Sequence, residues 1–152
     1  MFRHRPSELF FSEAKKKDVG IIVRVPLASG LLSGKFGKDS QFDKKDHRNF
    51  NKNGEAFDQG ETFSGVDYDT GLTAVEELKK IFPTDKATLA QYALKWILMF
   101  DEVSCVIPGA SRKQQVLDNV AASELPDLSR NDMDKVRDIY NRYIREQVHH
   151  RW

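Results

Sequence analysis

Two short β-branched runs, each closed by a proline and a glycine-containing turn, constrain this chain more than any other feature. Ile21 to Val25 in GIIVRVPLASG and Val103 to Ile107 in VSCVIPGAS do not alternate between apolar and polar residues, so they predict strands buried on both faces. Strands of that kind belong to parallel sheets covered by helices. Two of them make a poor core alone, because each leaves an outer edge of unpaired N–H and C=O groups. The pattern therefore predicts an α/β chain that is part of a larger parallel sheet.

Helical spacing fills most of the remainder. Ser7 to Lys17 predicts a helix with Leu9, Phe10 and Ala14 on one side, ended by Gly20. A second starts at Asp69 or Thr70, carries Leu72, Val75 and Leu78, and stops near Pro83. The strongest pattern follows Thr84 and runs to about Met99, where Leu89, Tyr92, Ala93, Trp96 and Ile97 form a wide apolar face. Arg112 to Ala122 predicts a helix burying Val116, Leu117 and Val120. The last helix starts from Ser129 and Asp132 and shows Met133, Val136, Ile139, Tyr140 and Tyr143 at helical spacing. The polar tail from Gln147 is expected to dock through Trp152.

The segment 35–69 differs in kind. It is rich in Gly, Asp, Asn and Lys and has no periodicity, yet it carries phenylalanines at 36, 42, 50, 57 and 63. A connection this long inside a compact domain is a covering loop or is disordered, and the phenylalanines favour a loop that lies on another surface. The chain thus divides into 1–34 (helix, strand and Gly-rich turn), 35–69 (covering loop), 70–122 (helices, second strand and a further helix) and 123–152 (last helix and tail).

The turn after the second strand has chemical use. Ser111 precedes Gln114 by the spacing of a capping box, and the amides of Gly109 to Gln114 leave the first helical turn without intrahelical partners. Such a terminus favours an anion, and Arg112 and Lys113 add positive charge beside it, so phosphate is the expected ligand. The alternative is that Ser111 only caps the helix while Arg112 and Lys113 are solvated.

Composition excludes other classes. Lys and Arg number 24 against 23 Asp and Glu, a net charge of +1, which gives no electrostatic footprint for nucleic acid or an anionic membrane. The longest apolar run, Trp96 to Phe100, is far short of a membrane span. The single Cys105 reads as a small buried hydrophobe in a reducing compartment, so a cytoplasmic protein is expected. His149 and His150 are adjacent and lack the company of a metal site. Ser29 and Ser33 have no nucleophile elbow or partner base, and Gly30, Gly34 and Lys35 lack the spacing of a phosphate loop.

With GIIVRVPLASGLLSGK and VIPGASRKQQVLDN in this order, separated by a long loop, the chain closely resembles the C-terminal part of the aldo-keto reductases. That resemblance implies the later portion of an NADP(H)-dependent (β/α)8 TIM barrel, with the two runs as its seventh and eighth strands. It implies that Gly109, Ser111, Arg112, Gln115 and Asn119 hold the adenosine 2'-phosphate and adenine end of NADP, with Asp118 at the adenine amino group. Arg24 matches a position, aromatic in many members, that lies against the nicotinamide. A guanidinium plane stacks on a ring as an aromatic does, although a salt bridge at the barrel mouth is the alternative role. Pro26, Leu27, Ala28, Gly30 and Leu32 match the loop beside the pyrophosphate.

The family's catalytic aspartate, tyrosine, lysine and histidine belong to the N-terminal half of the barrel and have no counterpart here. The resemblance implies an NADP-binding portion of a reductase of aldehydes or ketones, inactive alone. The alternative is a non-catalytic half-barrel that forms a homo-oligomer or complements another chain. In a third arrangement the long loop and terminal helix cover the strand edges within one chain.

Overall fold

The computed structural model describes residues 1–151, so the expected docking of Trp152 lies outside the described residues. Strand β1 spans Ile21–Arg24 and β2 spans Val103–Ile107, and they pair in parallel as a two-stranded sheet. The register sets Ile21 against Val103, Ile22 against Cys105 and Arg24 against Ile107, so Ser104 is an extra residue between paired positions. Its hydroxyl oxygen accepts the Ile21 N–H at 3.2 Å. Strand β1 stops one residue earlier than the β-branched run predicts, because Val25 turns to φ 49°.

The first helix is two pieces, α1 (Arg5–Glu8) and α2 (Phe10–Lys16), broken at Leu9. Ala14 is buried as expected, whereas Leu9 and Phe10 are exposed. After three 3-10 segments (Ala28–Ser33, Gln59–Glu61 and Phe63–Gly65) and the short α3 (His47–Phe50), helix α4 runs Tyr68–Ile81 with the Asp67 side chain accepting from the Thr70 N–H. Helix α5 (Leu89–Leu98) begins later than Thr84, where Thr88 and Gln91 form a reciprocal capping box and supply the start signal. Helix α6 spans Lys113–Ala121 and α7 spans Arg130–Ile139, the latter capped by Ser129. A π-helical turn, Tyr140–Ile144, then leads into α8 (Arg145–Val148).

One core joins the turn after β1 to α4, α5, α7 and α8. Leu31, Leu32, Val75, Leu78, Val136 and Ile144 are all buried there. The strands themselves are less covered than their composition predicts: Val103 and Val106 pack on the core, but Ile22, Ile107 and Cys105 are exposed. The α6 stripe departs further, with Val116 at 50%, Leu117 at 52% and Val120 at 61% exposure instead of burial. Spacing reports that a face is apolar, while burial requires an element to lie over it, and none of the described elements covers this one.

Met1, Phe2 and His4 are buried and join the start of the chain to the core. The His4 ring stacks between Tyr140, with centroids 3.9 Å apart, and Trp96, at 4.7 Å. Burial holds the His4 pKa well below the usual histidine value, and positive charge nearby, including His149 and Arg137, acts in the same direction. His4 is therefore neutral in the fold but protonates in the unfolded chain below about pH 6.5. Stability from this group is full above that pH and falls as pH drops, at about 1.4 kcal/mol per unit, until the folded pKa is reached. The buried Met1 amine, whose pKa is lowered from 8.0 to about 5, adds a slope of the same sign between those values. Urea denaturation should therefore show both contributions below about pH 6.5, and His4→Phe should remove the His4 share while the Met1 slope remains. Asp46, held at about 2 by its bond to Arg48, loses its contribution only below about pH 4, in a separate window.

Among the described residues no helix is long and apolar enough to cross a membrane, and no group of His, Cys, Asp and Glu is arranged to hold a metal.

Candidate functional site

Because β1 and β2 are parallel neighbours with Arg24 level with Ile107, the turns that follow them leave the same edge of the sheet. In open parallel and barrel sheets the carboxyl edge is where ligands bind. The two predicted clusters, Arg24 to Leu32 and Gly109 to Asn119, therefore begin side by side.

The first cluster is a strained turn. Val25, Ala28 and Ser29 all have left-handed φ, at 49°, 49° and 53°, a conformation that costs a β-branched residue most. The surroundings hold it. The Leu27 carbonyl accepts from the Gly30 N–H at 2.9 Å and the Leu32 N–H at 3.2 Å, and the Val25 carbonyl accepts from the Ala28 N–H. Ala28 and Leu32 belong to the core cluster and Pro26 is buried, while all three also line the cavity that Arg24 borders. At Gly30 (φ 96°) an added Cβ would meet the Phe36 ring at 3.0 Å, which explains glycine at that position.

The loop 35–69 lies on this turn. Ser29 accepts the Phe63 N–H at 3.1 Å, and Phe63 is completely buried. Arg48 sits over the rings of Phe42 and Phe36, at 4.8 and 5.6 Å, while its Nε donates to Asp46 at 2.9 Å. Asn51, fully buried, donates to Thr62 Oγ1 at 3.0 Å and accepts the N–H groups of Ala56 and Phe57 at 2.9 and 2.8 Å. Phe50 and Phe57 remain partly exposed. Asn51→Ala would leave those amides without their acceptor and should cost about 2–3 kcal/mol. Limited proteolysis should then cut within 52–60 faster than in the parent chain.

Arg24 is held by this loop as well. Its guanidinium meets the Glu61 carboxylate through two contacts, at 2.6 and 3.4 Å, with both side chains about half exposed or more. Composition gives no sign of Glu61 as its partner, since 36 residues of sequence intervene. Arg24 lines a cavity of about 390 Å³ whose wall includes Phe10, Phe11, Trp96, Phe100 and Glu61.

The second cluster is built around Gln115. Its side-chain oxygen accepts the Ser111 N–H at 2.8 Å, the Ser111 hydroxyl at 3.1 Å and the Arg112 N–H at 3.1 Å. The capping residue is thus Gln115 and not Gln114, and Ser111 does not cap α6, which starts at Lys113 with Arg112 in extended backbone. Gln114 instead donates to Asp118 Oδ1 at 2.9 Å. The Arg112 and Lys113 side chains are exposed and form no ion pair among the described residues. A Cβ at Gly109 would meet open space, so packing does not demand glycine there. Three donors gathered on one neutral oxygen, with two unpaired cations beside them, suit an anion of phosphate size. Asn119 is half-buried on the same helix.

The comparisons with known proteins agree with this architecture. A profile of the Aldo/keto reductase family matches residues 1–141. A probable voltage-gated potassium channel subunit beta from Arabidopsis thaliana is 30% identical over 143 residues, 90% of this chain and 40% of its own length. An L-glyceraldehyde 3-phosphate reductase from Escherichia coli K12 is 36% identical over 104 residues, 68% of this chain and 28% of its own. Among solved structures, a glycerol dehydrogenase from Gluconobacter oxydans superposes with a TM-score of 0.71 at 23% identity, over 91% of this chain and 39% of that one. An aldo-keto reductase from Bacillus halodurans does so with a TM-score of 0.57 at 26% identity, also over 91% and 39%. The chain spans two-fifths or less of the length of these relatives, and its small parallel sheet with surrounding helices corresponds to part of their fold. The chain belongs to the aldo/keto reductase family.

Proposed function

We propose that this chain is the NADP-binding portion of an aldo-keto reductase that reduces aldehydes or ketones. The observation that carries the reading is the pair of turns leaving one sheet edge, one strained and backbone-rich, the other lined with donors and free cations. Arg112, Ser111 and the start of α6 hold the 2'-phosphate, with Gln115 rotating its oxygen away from the donors it gathers. Asp118 and Asn119 lie further along α6 at the adenine. Leu27 and Gly30, with the backbone of Pro26, Ala28 and Leu32, run beside the pyrophosphate. Arg24 lies against the nicotinamide, and its bond to Glu61 ties the loop 35–69 across the bound dinucleotide.

When bound, NADPH supplies the hydride for a carbonyl substrate. Proton donation is a separate requirement: Tyr140 is buried against His4 and paired with His149 at 2.9 Å, so it serves packing and not the reaction. The chain alone therefore binds coenzyme without turnover, and the full reaction needs the acid and its pKa-lowering partner from the rest of a barrel. A cytoplasmic setting completes the proposal. Titration of NADPH and NADH into the 152-residue chain tests it: NADPH should bind tighter, and equal or undetectable binding of both would refute it.

A further inference from the structure

Arg24 closes β1 at the carboxyl edge of the sheet, and its side chain is 67% exposed. Its Nη1 and Nη2 donate to the two carboxylate oxygens of Glu61, at 3.4 and 2.6 Å. Those donors lie in the guanidinium plane, so the carboxylate sits at the edge of the group and leaves a flat face for a ring. The other charged side chains on the same cavity are engaged elsewhere. Arg3 donates to the Val148 carbonyl at 3.4 Å, Asp58 accepts the Gly60 N–H at 2.7 Å, and Arg151 donates to Gln59 at 3.0 Å. Arg24 with Glu61 is the one side-chain ion pair among the described residues that line it.

Resting on the reading that sets Arg24 against the nicotinamide, we propose that Arg24 and Glu61 together fix how strongly the chain prefers the reduced coenzyme to the oxidised one. The nicotinamide ring is neutral in NADPH and cationic in NADP+, and the remainder of the two molecules is the same. A guanidinium held flat on the ring therefore repels only the oxidised form. Glu61, bound at the far edge of that guanidinium, offsets part of the repulsion. Arg24 is the nearer charge, so the sum favours NADPH. The bias suits a reductase, which must take up the neutral form and let the cationic one go. The same repulsion opposes loss of hydride from the ring, and Glu61 keeps it small.

Isothermal titration of NADPH and NADP+ into the 152-residue chain and its variants gives the ratio of the two dissociation constants. A partly unfolded variant, or one that has lost a contact common to both forms, weakens both equally and leaves that ratio unmoved. Glu61→Gln should raise the preference for NADPH about tenfold, because Arg24 then acts unopposed. Arg24→Gln should lower it about tenfold, because Glu61 is left to attract the cationic ring. Arg24→Lys, which keeps the charge but not the flat face, should stay closer to the parent ratio than Arg24→Gln does. A tenfold change in the ratio is about 30 mV in the potential of the bound two-electron couple. Both shifts should shrink between about 50 and about 500 mM salt, since the pair is partly solvated. An unchanged ratio in either glutamine variant, or shifts of the same sign in both, would overturn the proposal. If NADPH is still preferred to NADH in that case, the coenzyme reading stands without it, whereas a parent chain that binds no coenzyme would overturn both.

Discussion

Replacing Arg112 with alanine should weaken NADPH binding about 10- to 100-fold and leave NADH binding nearly unchanged. The expected size follows from the bond type. Hydrogen bonds to a charged group are worth about 1.5–3 kcal/mol, and each 1.4 kcal/mol is about tenfold in affinity. Arg112 is exposed and forms no ion pair among the described residues, so its truncation leaves no buried charge behind and does not disturb the core. Arg112→Lys should recover only part of the loss, because an ammonium cannot present the planar fork that meets phosphate oxygens in pairs. Isothermal titration with both coenzymes distinguishes these outcomes, and an equal loss for NADPH and NADH would mean that Arg112 does not read the extra phosphate.

Phe63→Ala should destabilise the chain by about 3–5 kcal/mol, the range for removing a fully buried phenyl ring. The size is unexpected for a residue of a Gly-, Asp- and Asn-rich loop. Phe63 has no exposed surface and packs beside Phe42 and Tyr68, with centroids 5.9 and 5.0 Å away. Its own N–H is bonded to Ser29, so the ring and the backbone both fix the loop to the turn after β1. The loss should appear in urea denaturation as a lower midpoint. The covering loop should also become protease-sensitive, since the aromatic cluster under Arg48 loses its floor. Phe57→Ala is the contrasting variant: Phe57 is about two-fifths exposed, and the cost should stay below about 1.5 kcal/mol.

What the sequence made legible is the skeleton. The β-branched runs before Pro26 and Pro108 identify both strands, and their lack of alternation implies the parallel pairing found between them. The stripes of α4 and α5 report their buried faces correctly, because each has a partner element within the chain. The same logic fails on α6 and at Cys105, where the residues are apolar but nothing described lies over them. Periodicity describes a side chain's preference, not its neighbour.

Polar detail was the least legible. Gln114 and Gln115 are chemically identical and adjacent, and only the backbone conformation of Arg112 decides which of them turns back onto the helix start. Asn51 looks like any loop asparagine, yet its three bonds organise residues 51–62. His4 lies in a stretch too short for periodicity, and the aromatic residues that enclose it are 92 and 136 positions away. For Arg24 the salt-bridge alternative named its kind of partner, a carboxylate, without indicating that Glu61 of the covering loop supplies it.

If two turns on one sheet edge hold the two ends of one dinucleotide, as proposed, hydrogen exchange should show it. Adenosine 2',5'-bisphosphate should slow exchange at amides 109–115 alone, whereas NADPH should slow 109–115 and 27–32 together. Protection by NADPH confined to either segment, or absent from both, would contradict the account.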